Sequence, residues 1–158
     1  MPHFGNRSQD RLDTCHPDIA RVFNRVIEFY DCSVLEGART LERQKELYSQ
    51  GRKMFEGGEW RVVNQGEVVT HVDGVNERSA HQTTPEEPLS RAIDVVPWPT
   101  VLHQKDIWQD HFRFTLFAGQ VLGIAESMHI PLIWGGDWDG DGSARNQNFH
   151  DYPHFELA

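Results

Sequence analysis

Ser79-Ala80-His81, then a Pro- and Glu-rich loop, then Ser90-Arg91-Ala92-Ile93-Asp94-Val95-Val96-Pro97, is the passage on which the fold and the chemistry turn. Its second half is β-branched, so it reads as a strand with Asp94 on one face while Ile93 and Val95 point into a core. The chain ends on a second imidazole and carboxylate, Asp151-Tyr152-Pro153-His154. His81, Asp94 and His154 offer two nitrogens and one oxygen, the ligand set of a catalytic zinc that leaves its fourth position to water. Asp151 is then left over as a general base. Taken alone, His81 and Asp94 read more readily as two surface groups. Pro153 excludes a helix interior at the tail. In a regular strand, residues three apart point to opposite faces, so Asp151 and His154 converge only where the chain bends or bulges.

Ser-Ala-His, Ser-Arg-Ala-Ile-Asp, Trp134-Gly-Gly-Asp-Trp138 and Asp-Tyr-Pro-His-Phe-Glu-Leu, in that order, resemble the zinc peptidases of the D-Ala-D-Ala carboxypeptidase family. The likeness is greatest to the phage-type L-alanyl-D-glutamate endopeptidases, the endolysins. It extends through Phe4-Gly5-Asn6-Arg7-Ser8, His16-Pro17-Asp18 and Glu36-Gly37-Ala38-Arg39-Thr40 with Arg43-Gln44, and so covers nearly the whole chain. The resemblance implies zinc ligands at His81, Asp94 and His154, and a catalytic carboxylate at Asp151. It also implies an arginine, Arg39, that faces the cleft to bind a substrate carboxylate or steady an oxyanion. Gln44 and Trp138 join it as expected substrate contacts. One departure stands out: the family places its first His and Asp closer together, and Gln82 to Leu89 lengthens the gap here. A loop inserted between fixed ends costs little closure entropy.

At 158 residues the chain is expected to be a single catalytic domain, residues 1–158, burying roughly 70% of its unfolded surface. Hydrophobic residues at 38% and charged ones at 25% are globular values, and no apolar run is long enough to span a bilayer, so no membrane insertion is expected. The start reads as lacking a secretory signal, so with the resemblance the protein is expected in the host cytoplasm until something releases it to the periplasm and cell wall. A net charge of −9 without a basic cluster argues against nucleic acid as a partner. Cys15 and Cys32 lie seventeen residues apart around an expected helix, about 25 Å, too far for a disulfide. Two free thiols and a monomer are expected.

His16-Pro17-Asp18 opens a helix whose stripe is Ile19, Val22, Phe23, Val26, Ile27 and Phe29-Tyr30. Ser33 to Gly37 reads as a short strand, and Thr40 caps a helix from Leu41 to Gln50 with Leu41, Gln44, Leu47 and Tyr48 on its inner face. Trp60-Val63 and Glu67-Val72 around Asn64-Gln-Gly66 read as a hairpin, either a flap that brings Trp60 to the substrate or a surface feature. His71 is expected to be structural or exposed. Asp106 is expected to cap the longest helix, running to about His129 with Ile107, Trp108, Phe112, Phe114, Leu116, Phe117, Val121, Leu122 and Ile124 as its packing stripe. Leu132-Trp134 and the tail supply two further strands. Between them Asp137-Trp-Asp139-Gly-Asp141-Gly142 carries the alternating acids of a calcium loop, with Asn148 where a Glu is usual, so calcium and a solvated acidic loop both fit.

The expected architecture is α+β: a small, mainly antiparallel sheet with the zinc site on one face and helices packed on the other. The resemblance implies a peptidoglycan stem peptide as substrate, cut between L-Ala and D-Glu, with bacterial lysis as the outcome. Two alternatives share the site: a D-Ala-D-Ala carboxypeptidase of wall maturation, and a non-catalytic zinc-containing binding domain such as that of hedgehog signalling.

Overall fold

The computed structural model describes residues 2–98 and 107–158. It is α+β, as expected. Four strands, β1 (Cys32–Glu36), β4 (Ala92–Pro97), β5 (Leu132–Trp134) and β6 (His154–Leu157), form one sheet in the order β1-β4-β6-β5. Every pairing in it is antiparallel. β2 (Arg52–Met54) and β3 (Trp60–Val62) make a separate hairpin. The helices are α1 (Asn6–Leu12), α2 (Pro17–Phe29), α3 (Leu41–Ser49) and α4 (His111–Ser127).

The sequence dictates the core simply. Along β4, Ile93 and Val95 point one way and are fully buried. α2 and α4 cover that face, bringing Phe23 and Phe117 edge-on against Phe155 of β6, with centroids 5.6 and 6.1 Å apart. Pro17 starts α2 in its first turn, and Ile19, Val22, Phe23, Val26 and Ile27 are its buried stripe. Phe29 is a correction: it is exposed and lies under the Arg25 guanidinium. Asp94 points to the other face, where the segments between β1 and β4 pack. Both cysteines are buried free thiols, and burial pushes each up to about 12.

Three expectations change. Asp106 lies outside the described residues. α4 begins at His111, with the Asp110 side chain accepting from the Arg113 N–H. Its apolar stripe wraps too far round to be packed throughout: Phe114, Phe117 and Val121 are buried, but Phe112 and Leu116 face outward, while Trp108 lies before the helix in a 3-10 turn, half-exposed and stacked on Phe114. Lastly, the hairpin forms one strand earlier than expected. Gly57 and Gly58 both take positive φ, the turn conformation that glycine permits, and close β2 onto β3. Asn64-Gln-Gly66 instead enters a 3-10 turn, Gln65–Glu67, so the run to Val72 is irregular.

Candidate metal centre

Asp94 sits in the middle of the sheet, opposite Glu36 of β1 on one side and His154 of β6 on the other. The register alone therefore places one expected ligand beside another on the same face. His81 comes from outside the sheet, delivered by a segment whose carbonyl accepts from the Arg39 N–H at 2.8 Å. The three expected ligand atoms converge. His81 Nε2 is 3.2 Å from His154 Nδ1, and each is 3.2 Å from Asp94 Oδ1. Tetrahedral ligands at about 2.0–2.1 Å from a zinc ion lie roughly 3.3 Å from one another, so this triangle has the size of one face of such a site. The donor set therefore fits a small divalent ion.

Each imidazole is oriented by its other nitrogen. His81 Nδ1 donates to the Gly37 carbonyl at 2.7 Å, and His154 Nε2 meets Glu156 Oε2 at 3.0 Å. Such outer partners fix the ring and raise its basicity as a ligand. Gly37 can offer its carbonyl because it has no side chain: a Cβ there would meet the Arg11 carbonyl at 2.3 Å and Thr14 Oγ1 at 2.4 Å. Neither Gly37 nor Glu156 was anticipated as a supporting group. The signal for Glu156 was present, since in a strand the residue two beyond His154 lies on the same face.

The electrostatics follow from this crowding. Burial alone would raise the Asp94 carboxyl, but the charges and hydrogen bonds of His81 and His154 win and hold it far below the usual range. Burial alone would lower His154, but hydrogen bonds to Asp94 and Glu156 lift it to about 10. Asp151 takes the opposite course. Desolvation first, and the charge of Asp94 second, raise it to about 6.

Asp151 reaches the same cleft because the tail bends before β6. The His154 N–H donates to the Asp151 carbonyl at 3.0 Å, and the Asp151 N–H to the Gly135 carbonyl at 2.7 Å, which ties the bend to the end of β5. Gly135 must be glycine: a Cβ would stand 2.4 Å from the Asp151 carbonyl oxygen. This is the departure from a regular strand that residues 151 and 154 required.

The cleft has a volume of about 750 Å³. His81, Asp94, His154, Asp151, Arg39 and Trp138 all line it. Trp138 stacks at a tilt on His154, centroids 5.3 Å apart, and its Nε1 donates to the Phe149 carbonyl at 3.0 Å. Arg39 is buried and largely engaged: Nε and Nη2 donate to Glu36, Nη2 to Asp94 Oδ2, and Nη1 to Gln44. Gln44 requires a correction as a substrate contact. It is fully buried, and its amide links Arg39 to the Val72 carbonyl at 2.7 Å, beneath the cleft wall. Val69 to Val72 form that wall, so His71 lines the cleft, exposed and edge-on to Phe149, while Trp60 packs against Tyr48.

A second acidic cluster lies in the loop leading to the tail. Carboxylate oxygens of Asp137, Asp139 and Asp141 come within 4.8 Å of one another. Among the described residues, Asp137 Oδ1 is the buried side-chain oxygen with no hydrogen-bond partner. Also among the described residues, no helix is long and apolar enough to cross a membrane.

Comparison with known proteins gives one answer three times. A family model described as phage L-alanyl-D-glutamate peptidase matches residues 1–158. The L-alanyl-D-glutamate peptidase of Escherichia phage T5 is 22% identical over 160 residues, 98% of this chain and 97% of that protein. The crystal structure of Serratia marcescens L-Ala D-Glu endopeptidase ChiX is similar over 98% of this chain and 89% of that one, with a TM-score of 0.58 and 26% identity.

Proposed function

Since the chain belongs to the phage L-alanyl-D-glutamate peptidase family, we propose that it is a zinc-dependent peptidoglycan peptidase, an endolysin, cutting the stem peptide between L-Ala and D-Glu. The observation that carries the zinc reading is the triangle of His81 Nε2, His154 Nδ1 and Asp94 Oδ1, each 3.2 Å from the next. These three residues would hold the ion. What zinc supplies when bound is Lewis acidity, which makes water a competent nucleophile near neutral pH and polarises a carbonyl.

The protein's own groups do the rest. Asp151, raised to about 6 and facing the cleft, accepts the proton of the attacking water and returns it to the leaving amine. Arg39 is a positioning residue first: it clamps the second oxygen of Asp94 and leaves one of its five N–H groups for a bound peptide. Trp138 forms an aromatic wall beside His154 against which a peptide can lie. A purely structural zinc has no use for Asp151, which favours an enzyme over a binding domain.

The whole chain, on this reading, works as one monomeric catalytic domain, released from the host cytoplasm to the cell wall, with no nucleic-acid partner. The orphaned Asp137 Oδ1 supports calcium at the Asp137, Asp139 and Asp141 loop, which leads directly into the catalytic tail.

The test is mass spectrometry of purified peptidoglycan digested with zinc-loaded and with chelated protein. New N-terminal D-Glu ends that appear only with metal are expected. Loss of single D-Ala residues would make the protein a carboxypeptidase, and no metal-dependent product would leave a binding domain.

A further inference from the structure

A glutamyl residue has two carboxyl groups, and a peptide leaves it through one. The other stays free and ionised next to the bond that this reading has the enzyme cut. The cleft that must accept this anion is itself acidic, lined by Glu36, Glu77, Glu87, Asp94, Asp151 and Glu156. Three arginines face them: Arg39, Arg78 and Arg91. Arg39 is engaged by Glu36, Gln44 and Asp94. Arg91 stands beside Glu156, on whose carboxyl its charge acts, and donates to the Ala158 carbonyl at 3.3 Å.

Arg91 is also exposed and as loosely held, and Arg78 differs from it in facing an exposed acid, Glu87. The Arg78 side chain is 48% exposed, and its partners sit at the limit of hydrogen bonding, the Gln82 carbonyl at 3.3 Å and Glu87 Oε2 at 3.4 Å. An exposed pair of that length contributes little, so an incoming carboxylate can replace Glu87 at little cost. A two-point guanidinium–carboxylate contact is much the better bond.

Both groups are held by built structure. On one side of Arg78, Asp73 Oδ1 accepts the N–H groups of Val75, Asn76 and Glu77. On the other, the Ser79 N–H donates to Gln82 Oε1 at 2.8 Å, just before the chain delivers His81 to the metal centre. Glu87 belongs to the loop that lengthens the gap between His81 and Asp94. There the Thr84 N–H donates to the Glu87 carbonyl at 2.9 Å and the Glu87 N–H to Thr84 Oγ1 at 3.0 Å, a closed turn that sets its carboxylate on Arg78.

Resting on the L-Ala–D-Glu reading, we infer that Arg78 is the receptor for the free carboxylate of the glutamyl residue, and that Glu87 occupies it when the cleft is empty. Substrate exchanges one carboxylate for another, and the extra loop tunes the affinity.

The deciding experiment is calorimetric binding of γ-D-glutamyl-L-lysine, whose α-carboxylate is free, and of the same dipeptide with that group as a primary amide. Neither contains the scissile bond. The zinc-loaded protein should bind the carboxylate about 10- to 100-fold tighter than the amide. Arg78→Gln should erase that preference with the affinity for the amide unchanged, Arg78→Lys should keep part of it, and Glu87→Gln should tighten carboxylate binding alone. Equal binding of the two ligands by the unaltered protein overturns the assignment. So does a preference that survives Arg78→Gln, or one erased by Arg91→Gln instead. Cleavage of an L-Ala-D-Glu peptide, followed in parallel, separates the two readings: a carboxylate preference without cleavage upholds the receptor and removes the reaction.

Discussion

Glu156 holds the far nitrogen of His154 at 3.0 Å, two residues along the same strand from the ring whose near nitrogen faces the metal triangle. That carboxylate both aims the imidazole and makes it a better donor. Glu156→Gln should weaken zinc binding roughly 10- to 100-fold, read by competition with a chromogenic chelator, while the fold persists. An unchanged affinity would reduce Glu156 to a surface acid.

Proton release should accompany metal binding. His154 is raised to about 10, so at pH 7 the metal-free protein carries an imidazolium that must lose its proton before it can be a ligand. The sign follows: zinc affinity increases with pH up to that value. The same raised pKa stabilises the metal-free fold below pH 6.5, and that contribution fades as pH climbs towards 10. Calorimetry of zinc binding at pH 7 in buffers of different ionisation heats should show about one proton released from this site per ion. No buffer dependence would mean that His154 is already neutral.

Asp151 should set the acid side of the activity profile. A base works only when ionised, so kcat/KM should drop tenfold for each pH unit below the pKa of Asp151, which is about 6 without metal and lower beside a bound divalent cation, and level off above it. Asp151→Asn should cost about 10²- to 10⁴-fold in turnover with the zinc content kept. Loss of zinc together with activity would make Asp151 a ligand.

Gly135→Ala is a sharper probe of the bend. The added methyl would press on the Asp151 carbonyl at 2.4 Å and on the Cβ atoms of Asp151 and His154 at 3.0 and 3.1 Å. Displacing a base by a fraction of an ångström to 1 Å can cost on the order of 100-fold in rate. Activity should collapse in this variant while its circular dichroism stays native.

How much of this was legible in the sequence depended on what each residue had to do. That His81, Asp94, His154 and Asp151 share one cleft could be read because their side chains are chemically distinctive and sit in recognisable short passages. α2 could be found because a 3.6-residue stripe ends in packing. α4 misled in part: it is apolar on more than one side, so periodicity could not say that Phe112 and Leu116 face outward. Gln44 was misassigned because a buried amide looks like an exposed one in sequence; only the positions of Arg39 and Val72 reveal its task. The hairpin slipped because two adjacent glycines outweighed the β-branched run after Asn64 in choosing the turn.

Cutting that link should be measurable. Gln44→Leu would leave the Val72 carbonyl and an Arg39 N–H without their partner, at a cost of about 1–3 kcal/mol in denaturant unfolding. A loss below that range would mean water replaces the amide.

The pairing of Asp94 with His154 across β4 and β6 also binds the enzyme's chemistry to its local unfolding. For β6 to peel away, an ion held by His154 would have to lose a ligand, so every increment of metal occupancy would be added to the free energy of opening that strand. With zinc at 100 times its dissociation constant the added protection is about 2.7 kcal/mol. Amide exchange in β4 and β6 should slow accordingly, whereas the β2–β3 hairpin, which carries no ligand, should exchange at its own rate. A metal bound in this cleft would thus also act as the latch on its last strand.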